Sequence, residues 1–117
     1  MLLVVDDDED LLQMLENLFS RAKVPHVCAS SLAEVKALGD VLPTLDTALL
    51  DINLGPGQPS GVDIARWLRE AGFAPRIIFI TGHAPDHPLV KKAAGESGRV
   101  LEKPVIPSEL LKIVAGS

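Results

Sequence analysis

The sequence has no tyrosine, one tryptophan, three phenylalanines and a single cysteine. With Cys28 alone no internal disulfide can form, so the fold must rest on packing, and a reducing compartment fits. Cys28 stands in an apolar stretch and reads as inert core rather than as a reactive thiol. Long apolar runs are also missing: nothing approaches the ~18 residues of a membrane-crossing helix. The run Leu2-Leu3-Val4-Val5 carries neither a basic flank nor a cleavage-site pattern. A cytoplasmic location without membrane association is the expectation. Basic clusters are lacking too, with a net charge of -5 and no Lys/Arg run longer than Lys91-Lys92. A nucleic-acid backbone, which needs several cations on one surface, is therefore not an expected direct partner.

What is present is globular: 47% hydrophobic and 23% charged residues in 117, enough for one core and too few for two. One domain over residues 1–117 is expected. Short apolar runs at Leu2 to Val5, His26 to Ala29, Thr47 to Ile52, Arg76 to Ile80 and Arg99 to Leu101 read as strands. Helical spacing links Leu11, Leu12, Leu15, Leu18 and Phe19, and again Val62, Ala65, Trp67 and Leu68. Further helices are expected near Leu32 to Leu38, Leu89 to Ala94 and Ser108 to Val114, with breakers at Pro25, Gly39, Pro43, Gly72, Pro75 and Gly82. Strands alternating with helices indicate crossover units. The expected fold is α/β: an open, doubly wound, five-stranded parallel sheet of flavodoxin-like order 2-1-3-4-5 with helices on both faces. In such sheets ligands bind beyond the carboxyl ends of the strands.

Those ends carry the polar residues. Asp6 and Asp7 close the first strand, Asp51 the third and Thr81 the fourth, and Lys103 follows the fifth. Carboxylates ~4 Å apart repel by roughly 4 kcal/mol per pair at an effective dielectric near 20, so a cluster of three needs a cation beyond Lys103. A hard divalent ion suits the set, and Mg²⁺ binds through one or two carboxylates while keeping waters that a phosphate oxygen can replace. Asp7 and Asp51 are expected as direct ligands, Asp6 as direct or acting through water, and the backbone carbonyl of Asn53 as a further ligand. An aspartate is also a nucleophile toward phosphorus. On that reading Asp51 accepts a phosphoryl group, Lys103 offsets its charge and Thr81 hydrogen-bonds it.

Plainer readings compete. Acids at a helix start serve the dipole and the cap, which accounts for Asp8, Glu9 and Asp10. That explanation suits Asp6 and Asp7 less well, and it fails for Asp51, an acid ending the apolar run Ala48-Leu49-Leu50, where an unpaired charge is costly. His26, His83 and His87 have no second His or Cys at metal-ligand spacing, so no zinc site is expected. Trp67 reads as a packing residue.

With these residues in place the chain resembles the response-regulator receiver domain. The matching pieces are Leu3-Val4-Val5-Asp6-Asp7-Asp8, Leu49-Leu50-Asp51-Ile52-Asn53-Leu54, Gly61 before a helix, Ile80-Thr81-Gly82-His83 and Leu101-Glu102-Lys103-Pro104. The resemblance implies that Asp51 takes its phosphoryl group from a phosphohistidine on a sensor histidine kinase or histidine phosphotransfer protein. It implies Asp6 and Asp7 at the Mg²⁺ site, Thr81 and Lys103 on the acyl phosphate, and a cis Lys103-Pro104 bond. The domain would be a self-phosphorylating and self-dephosphorylating switch rather than a turnover enzyme. Phosphorylation would shift the population of a face made by the fourth helix, fifth strand and fifth helix, where an output partner binds.

The sequence departs from the family in places. Three residues before Lys103 the usual aromatic is replaced by Val100, so no ring can report on Thr81. The loop from Gly55 to Gly61 is longer than usual, and Gly55 stands where proline is frequent. The last helix is short. His83 at the cleft mouth is a candidate influence on phosphate lifetime. Two alternatives stay in view: a Mg²⁺-dependent phosphatase acting through an aspartyl phosphate, which usually has an acid where this chain has Asn53, and a receiver-like module whose binding no longer depends on phosphate.

Overall fold

The structure, a computed structural model, describes residues 1–82, 87–95 and 99–115. In chain order the elements are β1 (Leu2–Val5), α1 (Glu9–Arg21), β2 (His26–Ala29), α2 (Leu32–Lys36), a 3₁₀ segment (Gly39–Thr44), β3 (Thr47–Asp51), α3 (Gly61–Glu70), β4 (Arg76–Thr81), α4 (Pro88–Gly95), β5 (Arg99–Glu102) and α5 (Pro107–Val114). The strands form one sheet in the order β2-β1-β3-β4-β5, and every pairing is parallel. No helix among the described residues is long and apolar enough to cross a membrane.

The apolar strands are apolar because both sheet faces are covered. Along each strand alternate side chains go to opposite faces. Leu3, Val5, Ala48, Leu50, Ile77 and Phe79 pack with Val35, Val62, Ile64, Ala65, Leu68, Val90 and Ala93 from α2, α3 and α4. Leu2, Val4, Leu49, Ile78 and Ile80 pack with Leu15 and Phe19 of α1 and Leu110 of α5. Of the apolar stripe on α1, only Leu15 and Phe19 are fully buried. Trp67 is half-buried beside Phe73, at 6.4 Å between ring centroids, with Nζ of Lys36 5.6 Å from its own ring centroid.

Several element ends differ from the sequence reading. The second helix stops at Lys36 rather than Leu38, because Gly39 takes a φ of +57° and begins a 3₁₀ turn containing Pro43. Breakers at both ends of that segment hid its helical hydrogen bonding. Strand β3 ends at Asp51, although Ile52 still donates its N–H to the carbonyl of Ile80 at 2.9 Å. Strands β4 and β5 each run one residue further than expected, to Thr81 and Glu102. Cys28 is half-buried on the edge strand β2 rather than wholly in the core. Burial, reinforced by Glu16, raises its thiol pKa, which disfavours the thiolate.

Candidate metal and phosphoryl site

Parallel pairing explains how distant residues meet. Val5 pairs with Leu50, so Asp6 and Asp51, one step on, end neighbouring strands side by side. Asp51 in turn pairs with Ile80, which puts Thr81 one step beyond it, and Thr81 pairs with Glu102, just before Lys103. The main-chain N–H of Lys103 donates to the carbonyl of Thr81 at 2.8 Å, fixing the chain where it leaves β5. The Lys103-Pro104 peptide that follows is cis, as the resemblance implied.

Asp6, Asp51 and Thr81 are buried, at 1%, 3% and 1% exposure, whereas Asp7 and Asn53 face solvent. Asp6, Asp7 and Asp51 each offer a carboxylate oxygen, and all three oxygens lie within 4.8 Å of one another. An open pocket of about 450 Å³ lies above them, lined by Asp7, Asp8, Asp51, Asn53, Gly82 and Lys103. All six residues singled out from the sequence therefore converge on one end of the sheet. His83 lies outside the described residues.

Local hydrogen bonds aim the carboxylates. Oδ1 of Asp6 accepts from the main-chain N–H of Asp8 at 2.9 Å, and Oδ1 of Asp51 accepts from that of Asn53 at 3.3 Å. Asp8 also caps α1, its carboxylate accepting from the N–H groups of Asp10 and Leu11 at 3.0 and 3.2 Å. The capping explanation thus holds for Asp8, which has the added role of steering Asp6. The remaining oxygens turn toward Lys103, whose Nζ is 3.3 Å from Oδ2 of Asp51 and 3.4 Å from Oδ2 of Asp6. That ammonium satisfies the pair incompletely, since Oδ2 of Asp6 is buried with no hydrogen-bond partner among the described residues.

The electrostatics record the same shortage of positive charge. Burial, followed by the neighbouring Asp6 carboxylate, pushes the pKa of Asp51 up to about 7 against the opposing pull of Lys103. For Lys103, burial works to lower the pKa, but Asp51 and Asp6 together outweigh it and raise it. One ammonium shared by two buried acids leaves a deficit that a divalent cation would fill. A hard all-oxygen donor set that includes one buried oxygen without a hydrogen bond among the described residues fits such an ion.

The sequence did not disclose why Gly61 must be glycine. A Cβ there would lie 2.9 Å from the carbonyl carbon of Asp51 and closer still to its oxygen. The absence of a side chain lets the start of α3 press against the end of β3, where the Gly61 N–H donates to the Ile52 carbonyl at 3.0 Å. Ser60 and Asp63 clamp that start with reciprocal side-chain to main-chain bonds, at 2.8 and 3.3 Å.

This pocket at the carboxyl edge of a 2-1-3-4-5 sheet is matched over residues 2–115 by the family model for the response regulator receiver domain. The chain belongs to that family, the signalling-switch module of two-component systems. It is 34% identical over 115 residues to Nodulation protein W of Bradyrhizobium diazoefficiens, spanning 97% of this chain and 49% of that protein. To the photosynthetic apparatus regulatory protein RegA of Cereibacter sphaeroides it is 31% identical over 109 residues, spanning 93% of this chain and 58% of that one. The chain thus covers about half the length of the curated relatives it matches. The receiver domain protein (CheY-like) of Methanospirillum hungatei has the same fold, with a TM-score of 0.82 at 22% identity over 97% of this chain and 89% of that one.

Proposed function

We propose that Asp51 accepts a phosphoryl group from a phosphohistidine on a sensor histidine kinase or a histidine phosphotransfer protein, with Mg²⁺ held by Asp6, Asp7, Asp51 and the backbone carbonyl of Asn53. The observation that carries the reading is the juxtaposition of the buried Asp51 carboxylate with Nζ of Lys103 at 3.3 Å and with carboxylate oxygens of Asp6 and Asp7 within 4.8 Å. A carboxylate oxygen of Asp51 attacks phosphorus. The bond from phosphorus to the donor nitrogen breaks, and that nitrogen keeps the electron pair. Charge spreads over the phosphoryl oxygens in this step, and Lys103 stands where it stabilises them. Mg²⁺, when bound, neutralises the same oxygens and the acid cluster.

The Thr81 hydroxyl, at the end of β4, hydrogen-bonds the phosphoryl group once it is on Asp51. Because the Thr81 carbonyl is bonded to the Lys103 amide at 2.8 Å, movement at either residue is passed to β5 and the start of α5. The consequence is a shift in population of the α4, β5 and α5 face, to which an output partner binds. Val100 is partly buried in the core beneath α4, so this shift proceeds by backbone and helix repacking without a swinging ring. The phosphatase alternative lacks its second acid: two residues after Asp51 stands the amide Asn53, whose side chain accepts from the Gly55 amide at 3.1 Å.

Intact mass measured after incubation with Mg²⁺ and acetyl phosphate tests the proposal. One phosphoryl adduct is expected, lost on chelation of Mg²⁺ and absent in Asp51→Asn. An adduct that persists in that variant, or none in the parent, would sink it.

A further inference from the structure

Gly55 follows the pocket-lining Asn53 by two residues and has a φ of +105°, a conformation that L-residues rarely adopt. Crowding does not demand glycine there. A Cβ would lie 3.6 Å from Oδ2 of Asp7 and 4.0 Å from Cγ of Gln58, both ordinary contacts. The demand comes from the path of the loop. Three main-chain donors run outward from the acid in sequence: Asn53 N–H to Oδ1 of Asp51 at 3.3 Å, Gly55 N–H to Oδ1 of Asn53 at 3.1 Å, and Gln58 N–H to the Gly55 carbonyl at 3.3 Å. Beyond them the chain has to reach Ser60 and Gly61, which are anchored on the end of β3. The left-handed step at Gly55 lets the loop satisfy both ends.

We propose that Gly55 is a positioning residue for Mg²⁺ binding. Its amide ties the solvent-exposed Asn53 side chain to the loop, and so keeps the Asn53 main chain in the lining of the pocket with Asp51 and Asp7. The inference rests on reading the pocket as a Mg²⁺ site. Its physical basis is preorganisation: the carboxylates are carried by strand ends, but the neutral oxygen comes from a loop, which without this link would have to be ordered each time an ion binds. An alanine at position 55 disfavours the required φ, and an alanine at position 53 removes the acceptor. Both break the same link from opposite ends.

Calorimetric titration of MgCl₂ into the wild type, Gly55→Ala, Asn53→Ala and the double variant tests this. Loss of a residue that orients a metal ligand typically weakens binding about 10- to 100-fold. Each single variant is expected in that range, with the double variant no weaker than the worse single, because both changes remove one interaction. A residue serving only to connect β3 to α3 would shift the metal-free thermal midpoint and leave the Mg²⁺ dissociation constant alone. Wild-type affinity in both single variants overturns the inference, as do losses that multiply in the double variant. Failure of the wild type to bind Mg²⁺ overturns the underlying reading as well. Should Gly55→Ala lose its far-ultraviolet circular dichroism, Asn53→Ala, which leaves the glycine in place, decides the matter.

Discussion

The body of strand β3 and its tip at the carboxyl edge of the sheet are both buried but chemically opposite. Leu49 and Leu50 are fully enclosed among apolar side chains, and the next residue along the same strand is the buried acid Asp51. Burial stabilises the first pair by removing apolar surface from water, at ~25 cal/mol per Å². In Asp51 it costs free energy, visible in a carboxyl pKa raised to about 7. One strand therefore holds the fold together over most of its length and stores an unmet demand for positive charge at its tip. The edge is a place where stability has been given up to function.

Four substitutions would sharpen or break that contrast. Truncation in the body should hurt most: Leu50→Ala leaves a cavity under α3 and should cost about 4 kcal/mol in urea unfolding. A loss below about 1 kcal/mol would mean that the body is not the stabilising half. Gly61→Ala, which drives a methyl group into the Asp51 carbonyl, should cost about 3 kcal/mol. It should also reduce the yield of phosphoryl adduct, because the obstructed carbonyl belongs to the acceptor residue. Retention of full stability would show that α3 retreats from the edge at little cost.

Asp51→Asn should act in the opposite direction. A folded pKa of about 7 against an ordinary 3.8 means that the folded state binds the proton more tightly than the unfolded one. The stability associated with that proton is fully present below pH 3.8 and is lost as pH rises through about 7. Metal-free protein should accordingly weaken by on the order of 3 kcal/mol between pH 5 and pH 8. Asp51→Asn should flatten this slope and be the more stable protein at pH 8, and Mg²⁺ should restore the wild type while leaving the variant unmoved. Urea midpoints at pH 5 and pH 8 with and without Mg²⁺ measure all three effects; parallel pH curves for the two proteins would contradict the assignment. The smallest effect, about 1 kcal/mol, is expected for Ser60→Ala, which opens the clamp at the start of α3. Thermal unfolding would register it, and an unchanged midpoint would show that the Gly61 contact alone seats the helix.

Much of the fold was legible because period and punctuation agreed. Five apolar runs separated by helical spacing allow few topologies, and Asp51 ending Ala48-Leu49-Leu50 stood out because no core tolerates such a residue without a partner. What escaped notice depended on backbone conformation. The 3₁₀ segment at Gly39–Thr44 looked like a loop because Gly39 and Pro43 are turn formers and its short helix lacks an amphipathic repeat. How differently Asp6 and Asp7 are exposed was not legible in the sequence: one is buried against Lys103 and the other faces solvent, since consecutive residues leaving a strand point in opposite directions.

The order of residues by itself determined which segments are strands, which side chains could form a core, and that an acid cluster, a hydroxyl and an amine would stand at strand ends. Hydrophobic periodicity and the chemistry of charged groups are local properties, written residue by residue. Only the folded chain decided that Lys103 is shared between Asp6 and Asp51, that one oxygen of Asp6 is left without a hydrogen bond among the described residues, and that Gly61 and Gly55 lie against the groups they touch. Those facts depend on the register of neighbouring strands and on distances of a few ångströms between residues far apart in the chain.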